Sequence, residues 1–307
     1  MRNLFVDEIY KMMGEDSGIV FLTAECGFNV VEKIERKYPE RFFNTGIAEQ
    51  SLVGTAAGVS LRGLRPVAYT MAMFLAMRAY EQIRDDVAYQ NLPVVLAGVI
   101  PGLGYGNSGT THHAVEDTAL MRILPNMTVV YPSCETDVRT LTRKIFQRNT
   151  PCYIGLARAS ADYQPNYDAG AIEIGKAIQL TPGRDAALFA FGSMIPAAVR
   201  AADILKKDGI GLSVYNMHTV KPLDAEAVRK AAKECGLIFT LEEENVLGGL
   251  GGAVAEILAE EKNVSCQLKR LGIPDEYCDV NGTQSWLHVH YGIDAQGVAA
   301  AVREKLK

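Results

Sequence analysis

Residues 65–99, RPVAYTMAMFLAMRAYEQIRDDVAYQNLPVVLAGV, decide the fold of this chain. Two short apolar runs, RPVAYT (65–70) and PVVLAGV (93–99), flank a stretch in which apolar residues recur with helical spacing, Phe74–Tyr89. Apolar runs that alternate with helical stretches are typical of parallel strands joined by crossover helices. Both runs are apolar almost throughout, which is expected where helices cover both faces of a sheet. The stretch therefore predicts a strand–helix–strand unit of an α/β fold.

The same alternation extends to both sides of this unit. Further predicted strands are GIVFLTA (18–24), MTVVYP (127–132), CYIGLA (152–157), ALFAFG (187–192), IGLSVYNM (210–217) and GLIFTLEE (236–243). Further predicted helices are Glu49–Leu61, Glu116–Leu124, Glu135–Phe146, 196–207, 224–234, 252–261 and 294–306. Residues 159–171, ASADYQPNYDAGA, interrupt the alternation with a polar, tyrosine-rich segment that is typical of a linker. We predict two doubly wound, mostly parallel α/β domains, at 1–158 and 172–307.

The composition narrows the class of protein. A chain of 307 residues suffices for two domains, because single cores stop growing at about 250–300 residues. A net charge of −5 argues against nucleic-acid binding. The longest apolar stretches have 13 and 14 residues, whereas a membrane span needs about 20. The six cysteines form no C-x-x-C pair, which favours reduced thiols over zinc or disulfides. We therefore expect a cytoplasmic protein that neither crosses a membrane nor binds nucleic acid.

A glycine-rich loop, PGLGYGNSGTTHH (101–113), follows the predicted strand 93–99. Its G-x-G-x-x-G spacing (104–109) is that of a dinucleotide-binding fingerprint, but no helical pattern begins within the motif as that site requires. The favoured interpretation is a pocket wall at the carboxyl ends of the strands, where open α/β sheets bind ligands. His112 beside the loop is a candidate for acid–base chemistry, and His113 is expected to pack.

Two other features have competing interpretations. His288-x-His290 has a spacing that would suit metal ligands on a strand, but no acidic or cysteine cluster accompanies it, so we expect a packed or solvated pair. Glu49 is an isolated carboxyl group at the start of an apolar helix. It is either an acid that the helix dipole favours or a buried, proton-sharing group whose ionised form burial disfavours. The residues alone leave both interpretations of Glu49 open.

Three segments resemble the transketolase family: RFFNTGIAEQSLVGTAAGVSLRGLRPVAYTMAMF (41–74), THHAVED (111–117) and LEEENVLGGLGGAVAEIL (241–258). The resemblance covers nearly the whole chain in the same order, and GIAEQ (46–50) is its most specific motif. It is greatest to 1-deoxyxylulose-phosphate synthase and to transketolases that are split across two polypeptides. The resemblance implies thiamine diphosphate as the cofactor and two doubly wound domains, the pyrimidine-binding and C-terminal domains of the family.

The resemblance also implies roles for single residues. The glutamate of the family motif, here Glu49, hydrogen-bonds N1′ of the cofactor's aminopyrimidine and stabilises the imino tautomer that deprotonates the thiazolium ring. Phe74 matches an aromatic residue that stacks on the pyrimidine, and Arg78 is a further cofactor-binding candidate. His112 matches a catalytic, substrate-contacting histidine, and Arg158 falls where the family has an arginine for the substrate phosphate.

The family's N-terminal domain holds the diphosphate through Mg²⁺ and carries a GDG signature that this sequence lacks. We therefore expect the C-terminal subunit of a split transketolase, active only with an N-terminal diphosphate-binding subunit in an α2β2 heterotetramer. The implied reaction moves a two-carbon ketol unit from a ketose to an aldose acceptor, with sugars or sugar phosphates as substrates. The alternatives are the β subunit of a thiamine-dependent 2-oxo acid dehydrogenase and a non-catalytic NAD-binding or regulatory subunit.

Overall fold

Two mostly parallel sheets organise the chain, as a computed structural model shows for residues 1–158, 163, 166–262 and 265–307. The first half contributes β1 (Ile19–Thr23), β2 (Phe42–Asn44), β3 (Arg65–Met71), β4 (Val95–Val99), β5 (Thr128–Val130) and β6 (Cys152–Leu156). The second half contributes β7 (Ile178–Thr181), β8 (Ala186–Ala190), β9 (Leu212–Asn216), β10 (Thr219–Lys221), β11 (Leu237–Asn245) and β12 (Gln267–Ile273). Across the described ranges the sheet orders are β10-β5-β6-β4-β3-β1-β2 and β12-β11-β8-β9-β7. The predicted fold class is confirmed.

Helices cover the faces of both sheets. They are α1 (Arg2–Glu15), α2 (Glu32–Lys37), α3 (Glu49–Leu61), α4 (Ala72–Arg78), α5 (Tyr80–Gln82), α6 (Asp117–Ile123), α7 (Glu135–Phe146), α8 (Ile195–Lys206), α9 (Ala225–Cys235), α10 (Leu250–Glu260), α11 (Gln284–His290) and α12 (Ala295–Leu306). Strands β1, β4 and β6 are buried at every position, as expected from their continuous apolar sequences. Among the described residues, no helix combines the length and the apolar character needed to cross a membrane.

The carboxyl ends of the central strands bring the candidate residues to one edge of the first sheet. Strand β3 ends at Met71 and leads directly into α4, which carries Phe74 and Arg78. Strand β4 ends at Val99, just before the glycine-rich loop. These strands are parallel and adjacent, so the segments that follow them emerge side by side.

The second half also completes the first sheet, which the sequence did not predict. Strand β10 pairs antiparallel with β5, with Thr219 opposite Val130. Next to it, the backbone N–H of Tyr131 donates to the carbonyl of His218 at 2.9 Å. The three residues of β10 are too few for an apolar pattern that predicts a strand. They are recognised as a strand only from their pairing with β5.

Two predicted elements differ from the structure. The expected helix Phe74–Tyr89 is broken at Ala79, whose φ of −105° and ψ of 20° end α4, and it continues as α5 and a π-helical turn, Ile83–Ala88. The strand considered for His288-x-His290 is wrong, because both histidines lie on α11. Thr283 caps this helix by accepting a hydrogen bond from the backbone N–H of Trp286, and the local cap determines a helix where histidine alternation suggested a strand.

The proposed linker, 159–171, is described only in part, since residues 159–162, 164 and 165 lie outside the described residues. In the remainder, the Tyr167 hydroxyl donates to Asp137 at 2.8 Å and accepts from the Asn216 amide at 3.0 Å. Asp137 belongs to the first half and Asn216 to the second, so a tyrosine of this segment bridges the two halves.

A buried carboxyl group fixes α1 against α7. Glu8 is 4% exposed, and it accepts hydrogen bonds from Arg143 at 2.6 Å and from Arg139 at 3.2 Å. Arg143 also pairs with the exposed Glu15 at 2.8 Å. The two glutamates therefore share one arginine but differ in burial.

We predict that Glu8→Gln lowers the free energy of unfolding by about 1–3 kcal/mol, because a buried charge-assisted contact is lost while the arginines remain. Glu15→Gln is the matched control and has a much smaller effect, since solvent screens its ion pair. Urea denaturation of the full chain measures both. Equal losses of stability in the two variants would contradict the importance given to burial.

Candidate active site

Glu49 is the first residue of α3 and is 4% exposed. The expectation of an isolated carboxyl group is wrong, because the Arg78 guanidinium donates from Nη1 to Glu49 Oε2 at 3.1 Å. Arg78 is 48% exposed, so the pair joins a buried carboxyl group to a partly solvated cation. The sequence did not predict this pair, since 29 positions separate the two residues. The start of α3 comes near α4 because β2 and β3 pair with β1 on its two sides.

Arg78 also lies on the face of Phe74. The centre of its guanidinium is 3.8 Å from the ring centroid, which is a close cation–π contact. The edge of the His112 ring meets Phe74 at a centroid distance of 5.5 Å and an angle of 71°. The structure thus brings four of the five candidate site residues into one chain of contacts, Glu49–Arg78–Phe74–His112.

His112 lies at the end of the glycine-rich loop. Its Nδ1 atom is 3.0 Å from the Thr111 hydroxyl, and Tyr105 packs near the ring at a centroid distance of 6.4 Å. Burial raises the pKa of Tyr105, although the positive charges of Arg2 and Arg158 act to lower it. Arg158 itself is exposed, two residues beyond the end of β6, and lies at the edge of this group.

His113, the next residue, is buried. Its Nε2 atom is 3.4 Å from the carbonyl oxygen of Gly106. Burial lowers the pKa of His113, although the hydrogen bond to Gly106 opposes this shift. A neutral, packed imidazole suits this position.

A cavity of about 660 Å³ opens beside Phe74 and Arg78, whereas Glu49, His112 and Arg158 do not line it. Its volume is within the size range of small-molecule sites. The first half lines it with Met73, Phe74, Met77, Arg78, Leu103, Thr110, Thr111, His113, Val115 and Glu116. The second half lines it with Asn245, Ile273, Asp275, Glu276, Tyr277 and Cys278. Sequence reasoning did not find this second wall, because segment 273–278 has no local motif and gains its place only through β12.

Close packing explains the glycines of the glycine-rich loop without a bound nucleotide. A Cβ atom on Gly102 would lie 2.8 Å from the carboxyl group of Glu243, and one on Gly109 would lie 2.9 Å from Asn281 Oδ1. Both glycines also have positive φ angles, +66° and +78°, at which a residue with a side chain would be strained. Residues of the second half thus already pack against these glycines. The NAD-binding alternative therefore loses the observation that supported it.

No metal site is visible in the parts of the chain that the structure describes, where no three His, Cys, Asp or Glu side chains cluster. His288 bonds to Glu243 at 2.7 Å, and His290 stacks on Trp286 at 5.3 Å. Both histidines have protein partners in this arrangement.

Comparisons with known proteins identify two family domains in this chain. Residues 1–162 match the model of the transketolase pyrimidine binding domain, and residues 175–298 match that of the transketolase C-terminal domain. The chain is 34% identical to a putative transketolase C-terminal section of Methanocaldococcus jannaschii, covering 100% of this chain and 96% of that protein. It is also 34% identical to an apulose-4-phosphate transketolase subunit of Phocaeicola vulgatus, covering 100% of this chain and 97% of that protein.

Longer relatives match over part of their length. The chain is 38% identical to 1-deoxy-D-xylulose-5-phosphate synthase 1 of Geobacter sulfurreducens, with 97% of this chain covering 47% of that protein. It therefore spans about half the length of this relative. A solved structure described as a split gene transketolase, inactive beta4 tetramer, superposes with a TM-score of 0.89 at 36% identity, covering 99% of this chain and 97% of that one. The chain belongs to the transketolase family and comprises its pyrimidine-binding and C-terminal domains.

Proposed function

We propose that this chain supplies the pyrimidine-binding half of a thiamine diphosphate site and catalyses ketol transfer together with an N-terminal diphosphate-binding subunit. One observation carries the proposal: the Arg78 guanidinium lies 3.8 Å over Phe74 while it hydrogen-bonds the buried Glu49. A flat, hydrogen-bonding group can thus contact the ring and the carboxyl group at once. An aminopyrimidine has the same shape and hydrogen-bonding character, so the residues fit this part of the cofactor.

Each candidate residue then has a distinct task. Glu49 holds a proton shared with the pyrimidine nitrogen, and its burial keeps competing water away. Phe74 supports the ring face, and Arg78 moves aside from that face when the pyrimidine binds. Bound thiamine diphosphate supplies a carbon centre that stores the electron pair released when a carbon–carbon bond breaks.

His112 and Arg158 serve the substrate in this proposal. The His112 ring contacts Phe74 from the side, where an imidazole can exchange a proton with a sugar hydroxyl. Arg158 is exposed at the end of the first half and presents a guanidinium suited to bidentate contact with phosphate. The sugar transferred comes from a ketose, and the acceptor is an aldose, with or without phosphate.

The partner subunit would contribute the diphosphate and Mg²⁺ contacts, giving an α2β2 heterotetramer in the cytoplasm. Two relatives of this length support a divided enzyme, since one is named a C-terminal section and the other is named as one subunit of a transketolase. The relative described as a tetramer of β chains is called inactive. The synthase reaction is a second candidate, favoured by 38% identity over 304 residues to a 1-deoxy-D-xylulose-5-phosphate synthase.

We predict that the chain alone, with thiamine diphosphate and Mg²⁺, shows no ketol transfer, and that adding the N-terminal subunit restores it. The reason is that this chain brings only one side of the cofactor site. A coupled assay with a ketose donor measures turnover, and a parallel assay for 1-deoxy-D-xylulose 5-phosphate shows which reaction occurs. Light scattering measures the stoichiometry of the assembly. Turnover without a partner would disprove the divided site.

We predict that Glu49→Gln lowers turnover of the assembled enzyme by at least about 10²-fold, since positioned acid–base catalysis is worth about 10²–10⁴-fold. Glu304→Gln, at an exposed position of α12, is the control and retains wild-type turnover. Gel filtration verifies that both variants assemble. A Glu49→Gln enzyme as fast as wild type would refute the role of this carboxyl group.

A further inference from the structure

The loop that carries His112 is a closed unit. Gly102 and Ala114 exchange backbone hydrogen bonds of 2.9 and 3.0 Å, so residues 102–114 begin and end at one point. Between them the chain makes two short 3₁₀ turns, 106–108 and Thr110–His112. The position of His112 therefore depends on what the base and the top of this loop touch.

The loop lies against the second half at several points. The Thr110 hydroxyl donates to the carbonyl of Cys278. A Cβ atom on Gly106 would lie 2.7 Å from Leu287 Cδ1, and one on Gly109 would lie 2.9 Å from Asn281 Oδ1. The contact is close enough that only glycines fit at these positions. Residues 278–287 thus form a fixed support for the loop.

Glu243 fixes this support. The residue is 3% exposed. Its carboxylate accepts hydrogen bonds from Gln284 at 2.7 Å and from the Ser193 hydroxyl at 2.6 Å, while His288 Nε2 lies 2.7 Å from it. Gln284 and His288 are four residues apart and so lie on one face of α11. The carboxylate also touches the base of the loop, since a Cβ atom on Gly102 would lie 2.8 Å from it.

We propose that Glu243 is a positioning residue: through α11 and the base of loop 102–114 it sets the place of His112 against the substrate. This inference rests on the proposed function, because it takes His112 as the substrate contact. It also assigns the second half of the chain a task in the reaction, although Glu243 itself touches no substrate.

The chain offers a matched control on the same strand. Glu242 is fully buried and accepts hydrogen bonds from the backbone N–H groups of Leu250 at 2.7 Å and Gly251 at 2.8 Å. These belong to α10, and Glu242 points to the opposite face of β11 from Glu243. Glu242→Gln therefore perturbs a buried carboxyl group without touching α11 or the loop.

Hydrogen exchange of the isolated full chain is the first test. Glu243→Gln removes an acceptor from a carboxylate with three partners, so exchange in residues 102–114 speeds up by about tenfold or more, while α3 keeps its protection. Glu242→Gln leaves residues 102–114 unchanged. Equal acceleration of the loop by both variants would overturn the proposal, because it would reveal only a general loss of stability.

Kinetics of the assembled enzyme are the second test. Glu243→Gln raises the KM for the sugar by about tenfold, which is the effect expected when one hydrogen bond to the substrate is misplaced. Cofactor affinity stays within about twofold. Combined with His112→Asn, Glu243→Gln adds no further loss, because it acts through His112. Additive losses in the double variant would overturn the proposal. A His112→Asn enzyme with unchanged kinetics would instead refute the proposed role of His112 in function. The hydrogen-exchange result would still show whether Glu243 supports the loop.

If Glu243→Gln does not fold, Thr110 tests the same support from the loop side. Thr110→Val removes the hydroxyl that donates to Cys278, and Thr110→Ser restores it. The valine variant shows the faster loop exchange and higher KM, and the serine variant shows wild-type values. The same values for valine and serine would contradict the proposal.

Discussion

Three consecutive buried carboxyl groups at the end of β11 are the constraint on which the arrangement of the chain depends. Glu242, Glu243 and Glu244 are at most 3% exposed. Burying a carboxyl group without partners is costly. Glu242 and Glu243 accept hydrogen bonds, whereas the Oε2 atom of Glu244 has no hydrogen-bond partner in the described part of the chain. Burial raises the pKa of Glu242 to about 7, although two backbone N–H groups of α10 oppose it. Burial and the neighbouring Asp117 of the first half raise the pKa of Glu244 well above its usual value.

The partners of these glutamates fix the register of β11 and the packing of the two halves of the chain against each other. Neighbouring side chains of a strand point to opposite faces, so a slip of one residue would turn Glu243 away from His288 and towards α10. Although burial opposes it, the His288 charge keeps the pKa of Glu243 below its usual value. The pKa values of these two adjacent carboxyl groups are therefore shifted in opposite directions. The wall at 273–278 and the loop at 102–114 line the same cavity.

The elements that the sequence predicted have local signals. The sequence did not predict α1, β2, β7 or β12. Helices α3 and α7 have the predicted bounds, since an apolar face and flanking polar residues lie within each segment. It did not predict β10, whose three residues become a strand only beside β5. The glycine spacing of 104–109 is equally ambiguous, because close packing on Gly282 and Leu287 selects glycine as a pyrophosphate would.

The candidate site divides in the same way. Glu49, Phe74 and His112 follow from motifs, since each lies in a short segment with a distinctive sequence. The ion pair of Glu49 with Arg78 and the support that Glu243 gives to the loop do not follow, because their partners are 29 and 141 positions away in the chain. Local sequence identifies the candidate residues, and long-range contacts determine how they are arranged.

The Glu49–Arg78 pair gives a buried carboxyl group a partner within this chain. A carboxyl group buried without a partner costs several kcal/mol, roughly the stability margin of a domain. Arg78 provides the partner, and its 48% exposure leaves it free to swing towards solvent. In the proposed enzyme, the pyrimidine takes the place of the guanidinium on the Phe74 face and shares a proton with Glu49. The exchange keeps Glu49 paired throughout, so binding the cofactor does not have to offset the desolvation of a bare carboxylate.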